Sequence, residues 1–149
     1  MAGDGLTLCF EPDDDGTGEL HVSVRSQGFS GEGSAWFGAE RLERFAAALA
    51  AYPLTEEART GLAGGYYKDN RLDEVHVAIS AYQIDSAGHL GVRVRVATTV
   101  GVSARPQSQH VAEVELQTTY QELERFSREF LEHLAGQRED AVLRGDTRT

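Results

Sequence analysis

The tetrapeptide Leu-Glu-Arg-Phe stands twice in this chain, at Leu42–Phe45 and at Leu123–Phe126. Each copy lies in a stretch whose apolar residues recur with helical spacing. Each of those stretches follows segments in which apolar and polar residues alternate, the period of a half-buried strand. A second echo precedes the first. Gly18-Glu19-Leu20-His21-Val22-Ser23-Val24-Arg25 reads like Gly88-His89-Leu90-Gly91-Val92-Arg93-Val94-Arg95, with Leu, Val, Val and Arg in step. The pattern constrains the chain to a strand-rich unit that ends in a helix, used twice. Two origins stay open for it: a duplication, or the chance recurrence of common helix-forming residues.

Strands are expected where Leu6, Leu8 and Phe10 alternate with polar neighbours, and where Leu20, Val22 and Val24 do. Pro12 and Asp13-Asp14-Asp15-Gly16 form the turn between them. Ser34–Phe37 is a third strand, with Trp36 expected to be buried. A helix follows from Ala39 to Tyr52, with Leu42, Phe45, Ala46 and Leu49 on one face and Pro53 as its stop. Thr55–Leu62 reads as a short helical turn, and Gly61, Gly64 and Gly65 as a connector between the halves. Further strands follow at Val75–Ile79, Leu90–Val96 and Ala112–Leu116. If the last two pair, Arg93 and Arg95 share a face with Glu113 and Glu115, which favours the pairing. The final helix spans Tyr120–Ala135, opened by the capping box Thr119-x-x-Glu122 and closed by Gly136.

These elements predict an α+β fold: about six strands in one mainly antiparallel sheet, with two long helices on one face. Residues 1–136 are expected to form a single α+β domain, and the polar residues 137–149 a flexible tail. A chain of 149 residues can bury enough surface to fold without a metal or a disulfide, and the lone Cys9 excludes an intrachain bridge. The start Met-Ala-Gly-Asp-Gly carries no basic segment or apolar run of the signal-peptide kind, so cytoplasmic residence is expected. A net charge of −10 argues against nonspecific nucleic-acid binding and against anionic lipid surfaces, and it favours a basic protein partner.

Motifs for chemistry are not found. The five histidines have no zinc-ligand spacing, and His21 and His76 read as solvated surface residues. The Asp13–Asp15 run lacks the spacing of a calcium loop. Gly31-Glu32-Gly33-Ser34-Ala35 is not a nucleophile elbow, and Gly61–Gly65 lacks the Lys-Ser/Thr of a phosphate loop. No enzyme, no cofactor and no metal is therefore expected. The pair Tyr66-Tyr67, beside glycines and a polar turn, is an aromatic candidate for a partner contact.

Several segments together resemble a known group: Phe29-Ser30-Gly31 leading to Ala35-Trp36-Phe37, Leu42–Phe45, Gly64-Gly65-Tyr66-Tyr67, the run Asp85–Val94 with its Gly-His-hydrophobic turn, and the Leu-x-x-Phe helix near the end. Over about residues 5–136 this is similar to the WapI-like bacterial immunity proteins and related small families. The resemblance implies a small cytoplasmic protein that neutralises a toxin domain by binding it, and it carries over no site residues. With the charge, it makes Asp13, Asp14, Asp15, Glu32, Asp69 and Asp73 the expected acidic contacts to a basic toxin domain, and Tyr66 and Tyr67 the aromatic anchors. The alternatives are a structural or homodimeric module and a small-ligand binder.

Overall fold

A computed structural model describes residues 3–54, 60–100 and 105–145. The elements run β1 (Gly5–Pro12), β2 (Thr17–Ser26), β3 (Phe29–Gly38), α1 (Ala39–Ala48), β4 (Thr60–Lys68), β5 (Arg71–Gln83), β6 (His89–Ala97), β7 (Val111–Thr119), α2 (Tyr120–Leu134) and β8 (Ala141–Arg144). The fold is α+β, but the expected six-stranded sheet is instead two antiparallel sheets of four strands. Sheet A has the order β3-β2-β1-β8 and sheet B the order β4-β5-β6-β7.

Two strands account for most of the difference. The Gly-rich connector is β4, whose inward positions include Thr60, Leu62 and Gly64. Of the helical turn expected over Thr55–Leu62, residues 55–59 lie outside those described, and Thr60 to Leu62 are instead the start of β4. The tail expected to be flexible carries β8, with Ala141 and Leu143 fully buried beside β1; residues 146–149 are outside the described part.

The alternation seen in the first hairpin translates directly into register. Leu6 faces Val24, Leu8 faces Val22 and Phe10 faces Leu20, all inward. Asp15 accepts from the Thr17 amide at 3.1 Å and hydroxyl at 2.6 Å, and Gly16 takes the positive φ of 84° that closes the turn. Between β2 and β3 the two-residue turn has Gln27 at φ 53° and Gly28 at φ 87°, the pairing that matches strand twist.

β3 then crosses sheet B and touches all four of its strands. Its inward residues Gly31, Gly33 and Ala35 are small because the backbones come close. A Cβ on Gly31 would lie 2.6 Å from Ala112 Cβ and 2.9 Å from Val96 Cγ2, and one on Gly33 would lie 3.0 Å from the His76 carbonyl. At the far end the relation reverses: Phe37 fills the space over Gly64, where a Cβ would meet its ring at 2.5 Å.

The helices fill the remaining apolar space. α1 buries Leu42, Phe45 and Ala46, and ends at Ala48, four residues short of the expected Tyr52. In α2, Thr119 Oγ1 caps the helix by accepting from the Glu122 amide at 3.2 Å, and Leu123, Phe126 and Phe130 are buried. The helices meet through Phe45 and Phe130, edge to face with centroids 6.5 Å apart, and through the Ser127 hydroxyl, which donates to the Ala46 carbonyl at 2.6 Å.

The two Leu-Glu-Arg-Phe copies begin at the fourth residue of their helices. The helical copies are 81 positions apart, whereas the strand echoes are 70 apart. The difference is the connection before the last strand: Gln27-Gly28 in the first half, Thr98 to His110 in the second. Each half is thus a hairpin, a third strand and a helix, and β4 and β8 are additions to that plan.

α2 also completes sheet A. β8 pairs with β1 only from Gly5 to Leu8. Beyond it the Phe10 amide donates to His133 Nε2 at 2.8 Å, while His133 Nδ1 donates to the Arg138 carbonyl at 2.9 Å, which sets the neutral tautomer. The free edge of β8 is met by side chains of α2. The Val142 amide donates to Glu129 at 2.9 Å, the Arg144 amide to Glu122 at 2.9 Å, and Arg125 donates to the Val142 carbonyl at 2.7 Å. A strand edge that would otherwise offer unpaired backbone is thereby closed.

Candidate functional site

Both sheets turn one face inward, so each has an outer face to test. That of sheet B is occupied with itself. Arg93 lies opposite Glu115 and Arg95 opposite Glu113, as their alternation predicts. Arg93 reaches Glu113 at 3.5 Å, and the Tyr82 hydroxyl donates to Glu115. Burial, then the hydrogen bond to Glu115, pushes the Tyr82 hydroxyl up to about 12. His76 is not the surface residue expected: it is 8% exposed, and its ring is 2.7 Å from Glu74, which also accepts from the Val100 amide at 2.8 Å.

The outer face of sheet A is different. Register arranges its side chains in rows across the strands. At the hairpin end stand Trp36, Glu19 and Glu11; then Ser34, His21 and Cys9; then Glu32, Ser23, Thr7 and Val142; then Ser30, Arg25, Gly5 and Arg144. None of these residues is buried. Grooves run along the face: one of about 900 Å³ lined by Thr7, Ser23, Arg25, Glu32 and Arg144, and one of about 350 Å³ lined by Cys9, His21 and Ser34.

The face is polarised. Between Leu6 and Val24 there is no Lys or Arg, yet Glu11, Asp13, Asp14, Asp15 and Glu19 all fall in that span, so five carboxylates gather at the β1–β2 end. Asp15 is held below the ordinary carboxylate range by the hydroxyl and amide of Thr17. At the opposite end Arg25 and Arg144 flank Gly5, and the charge of Arg144 also acts on Glu122 of α2. Trp36 is 56% exposed beside the acidic end. The expectation that it is buried fails because Ala35 and Phe37 take the inward positions of β3 and strand alternation turns Trp36 out.

The expected contact residues divide between the two sheets. Asp13, Asp14 and Asp15 form the turn at the acidic end of sheet A, and Glu32 lies on the same face opposite Ser23. Tyr66, Tyr67, Asp69 and Asp73 belong to the β4–β5 hairpin of sheet B. Both tyrosines and Asp73 are exposed there, and Asp69 takes φ 53° in the turn. Sequence reasoning took His21 for a surface residue without a role, and it missed Glu11, Glu19, Trp36 and the Arg25–Arg144 pair. Strand parity pointed Trp36 outward; nothing local links Arg144 to Arg25.

No family model matches this chain. Neither the curated proteins nor the solved structures contain a match. No helix among the described residues is long and apolar enough to cross a membrane.

Proposed function

We propose that this chain is an immunity-type binding protein, rather than an enzyme, that neutralises a basic toxin domain in the cytoplasm by docking on it. The observation that carries this reading is the outer face of sheet A, with five carboxylates at one end beside the exposed Trp36. A large aromatic set in a polar rim is the composition of an interface anchor. The concentrated negative charge would steer a basic surface into place and raise the encounter rate. Occlusion of the toxin's cleft would then be steric. The resemblance to immunity proteins supports the same reading, and the exposed Tyr66 and Tyr67 on sheet B supply a second aromatic contact.

The test is co-expression with the toxin-domain candidate encoded by the neighbouring gene, scored by growth rescue and co-purification. Rescue and a stable complex are expected. Replacing Asp13, Asp14 and Asp15 together by Lys should slow association and weaken its salt dependence, and Trp36→Ala should speed dissociation. Absence of both complex and rescue, or a complex indifferent to all these substitutions, refutes the reading.

A further inference from the structure

We propose that Glu11, Glu19 and His21 form a binding site for a divalent transition-metal ion of the zinc type. Glu11 and Glu19 sit directly opposite each other on adjacent strands. Like charges in that position disfavour the pairing unless a cation lies between them. His21, two residues beyond Glu19 on the same face, aims its ring at both carboxylates. Among the described residues this is the one grouping of three such side chains, with donor atoms all within 4.8 Å of one another.

The geometry at His21 accommodates ligation of a shared cation. His21 Nε2 lies 3.2 Å from Glu11 Oε1 and 3.5 Å from Glu19 Oε1. These distances suit an ion pair, yet the nitrogen is shut off from solvent and makes no hydrogen bond. The oxygens are close but lie off the N–H direction. Two ligands about 2.0–2.1 Å from one tetrahedral ion stand about 3.3–3.4 Å apart, and the observed separations fall on either side of that value. Glu19 is also oriented from behind, since the Ser34 hydroxyl donates to its other oxygen at 2.7 Å, as outer-shell partners of metal ligands do. Glu11 is largely exposed, so a fourth position stays open to water or to a side chain from elsewhere. One imidazole with two carboxylates suits zinc, cobalt or nickel, and offers too few oxygens for calcium.

Cys9 is the strand neighbour of His21 but stands outside the ligand set. Its thiol is directed to the Glu139 carbonyl at 3.6 Å, away from the three converging donor atoms.

The whole protein, first stripped with chelator, is titrated with zinc by calorimetry and with cobalt by visible absorption. One ion per chain is expected, with a tetrahedral cobalt spectrum and a melting temperature that rises with free zinc. His21→Ala and Glu19→Gln should each weaken zinc by more than the roughly 10–100-fold that loss of an outer-shell partner costs, while Cys9→Ser and His89→Ala leave it unchanged. Circular dichroism checks that each variant is folded. The proposal is overturned if zinc does not bind, if His21→Ala and Glu19→Gln bind it as the parent does, or if Cys9→Ser abolishes binding. It is independent of the toxin reading, because the metal alone is the probe.

Discussion

Substituting Gly31 by Ala tests whether β3 really lies against sheet B. The new methyl would start 2.6 Å from Ala112 Cβ and 2.9 Å from Val96 Cγ2, where carbon atoms at rest keep about 3.5–4.0 Å. The two layers must therefore part by about 1 Å at that point. Overpacking of this kind costs about 1–3 kcal/mol. The restricted unfolded chain returns about 0.4–1 kcal/mol. The net loss is about 1–2 kcal/mol, which lowers the melting temperature of a chain this long by about 2–8 °C. Urea unfolding should show a lower midpoint with an unchanged slope. Gly61→Ala is the control, because its Cβ would meet nothing nearer than the Ile79 carbonyl at 3.7 Å, and it should be close to neutral. In an Ala112→Gly background the nearest Ala112 atom would be Cα at 3.9 Å. Gly31→Ala should then cost less, and a double-mutant cycle reads the difference. If Gly31→Ala destabilises no more than Gly61→Ala, or if the cycle shows no coupling, the close crossing of β3 is refuted.

Arg125→Ala removes the bonds to Glu122, Glu129 and the Val142 carbonyl; a loss of about 2 kcal/mol and faster hydrogen exchange at the amides of β8 are expected. Burial pushes the Glu122 carboxyl up, but Arg125 and the Arg144 amide outweigh it and hold it below the ordinary range. The stability that this carboxylate contributes is whole above the ordinary value and is lost as pH falls through the lowered one, so Glu122→Gln should flatten the acid limb of a stability–pH curve. Tyr82 is pushed up to about 12 by burial and by Glu115; its contribution is whole below the ordinary tyrosine value and is lost as pH rises through the raised one, and Glu115→Gln should bring its ultraviolet titration down. His133→Ala leaves the Phe10 amide unpaired and should cost about 1–3 kcal/mol in chemical unfolding.

How much of this was legible depended on whether the signal was local. The cap at Thr119, the apolar stripe of α2 and the facing Arg and Glu residues of β6 and β7 are written within short windows, and the structure has them. β4 was not legible as a strand, because register shifts at Gly64/Gly65 and Tyr66/Tyr67 break its alternation and Gly64 owes its lack of a side chain to Phe37, nearly thirty residues away. β8 is four residues long; what makes it a strand is the edge of β1 and the side chains of α2. The candidate site was the least visible part. Its rows collect residues from Gly5 to Arg144, and they exist only once register across β3, β2, β1 and β8 is known. The acidic turn could be picked out because its carboxylates are consecutive. The Glu11–Glu19–His21 convergence could not, since it joins two strands through one pairing.

β8 gives the doubled architecture a property that neither half has by itself. It follows the helix of the second half but adds to the sheet of the first, opposite Gly5–Leu8. The halves are therefore interlocked. If the backbone were cut between Leu54 and Thr60, one piece would carry β1 with an unpaired edge, and the other would carry Ala141 and Leu143 with nowhere to bury them. Neither piece should be a stable unit alone, and mixing the two should restore the molecule. Whatever its origin, the repeat is now tied together by β8, an element that follows the second helix and finishes the first sheet.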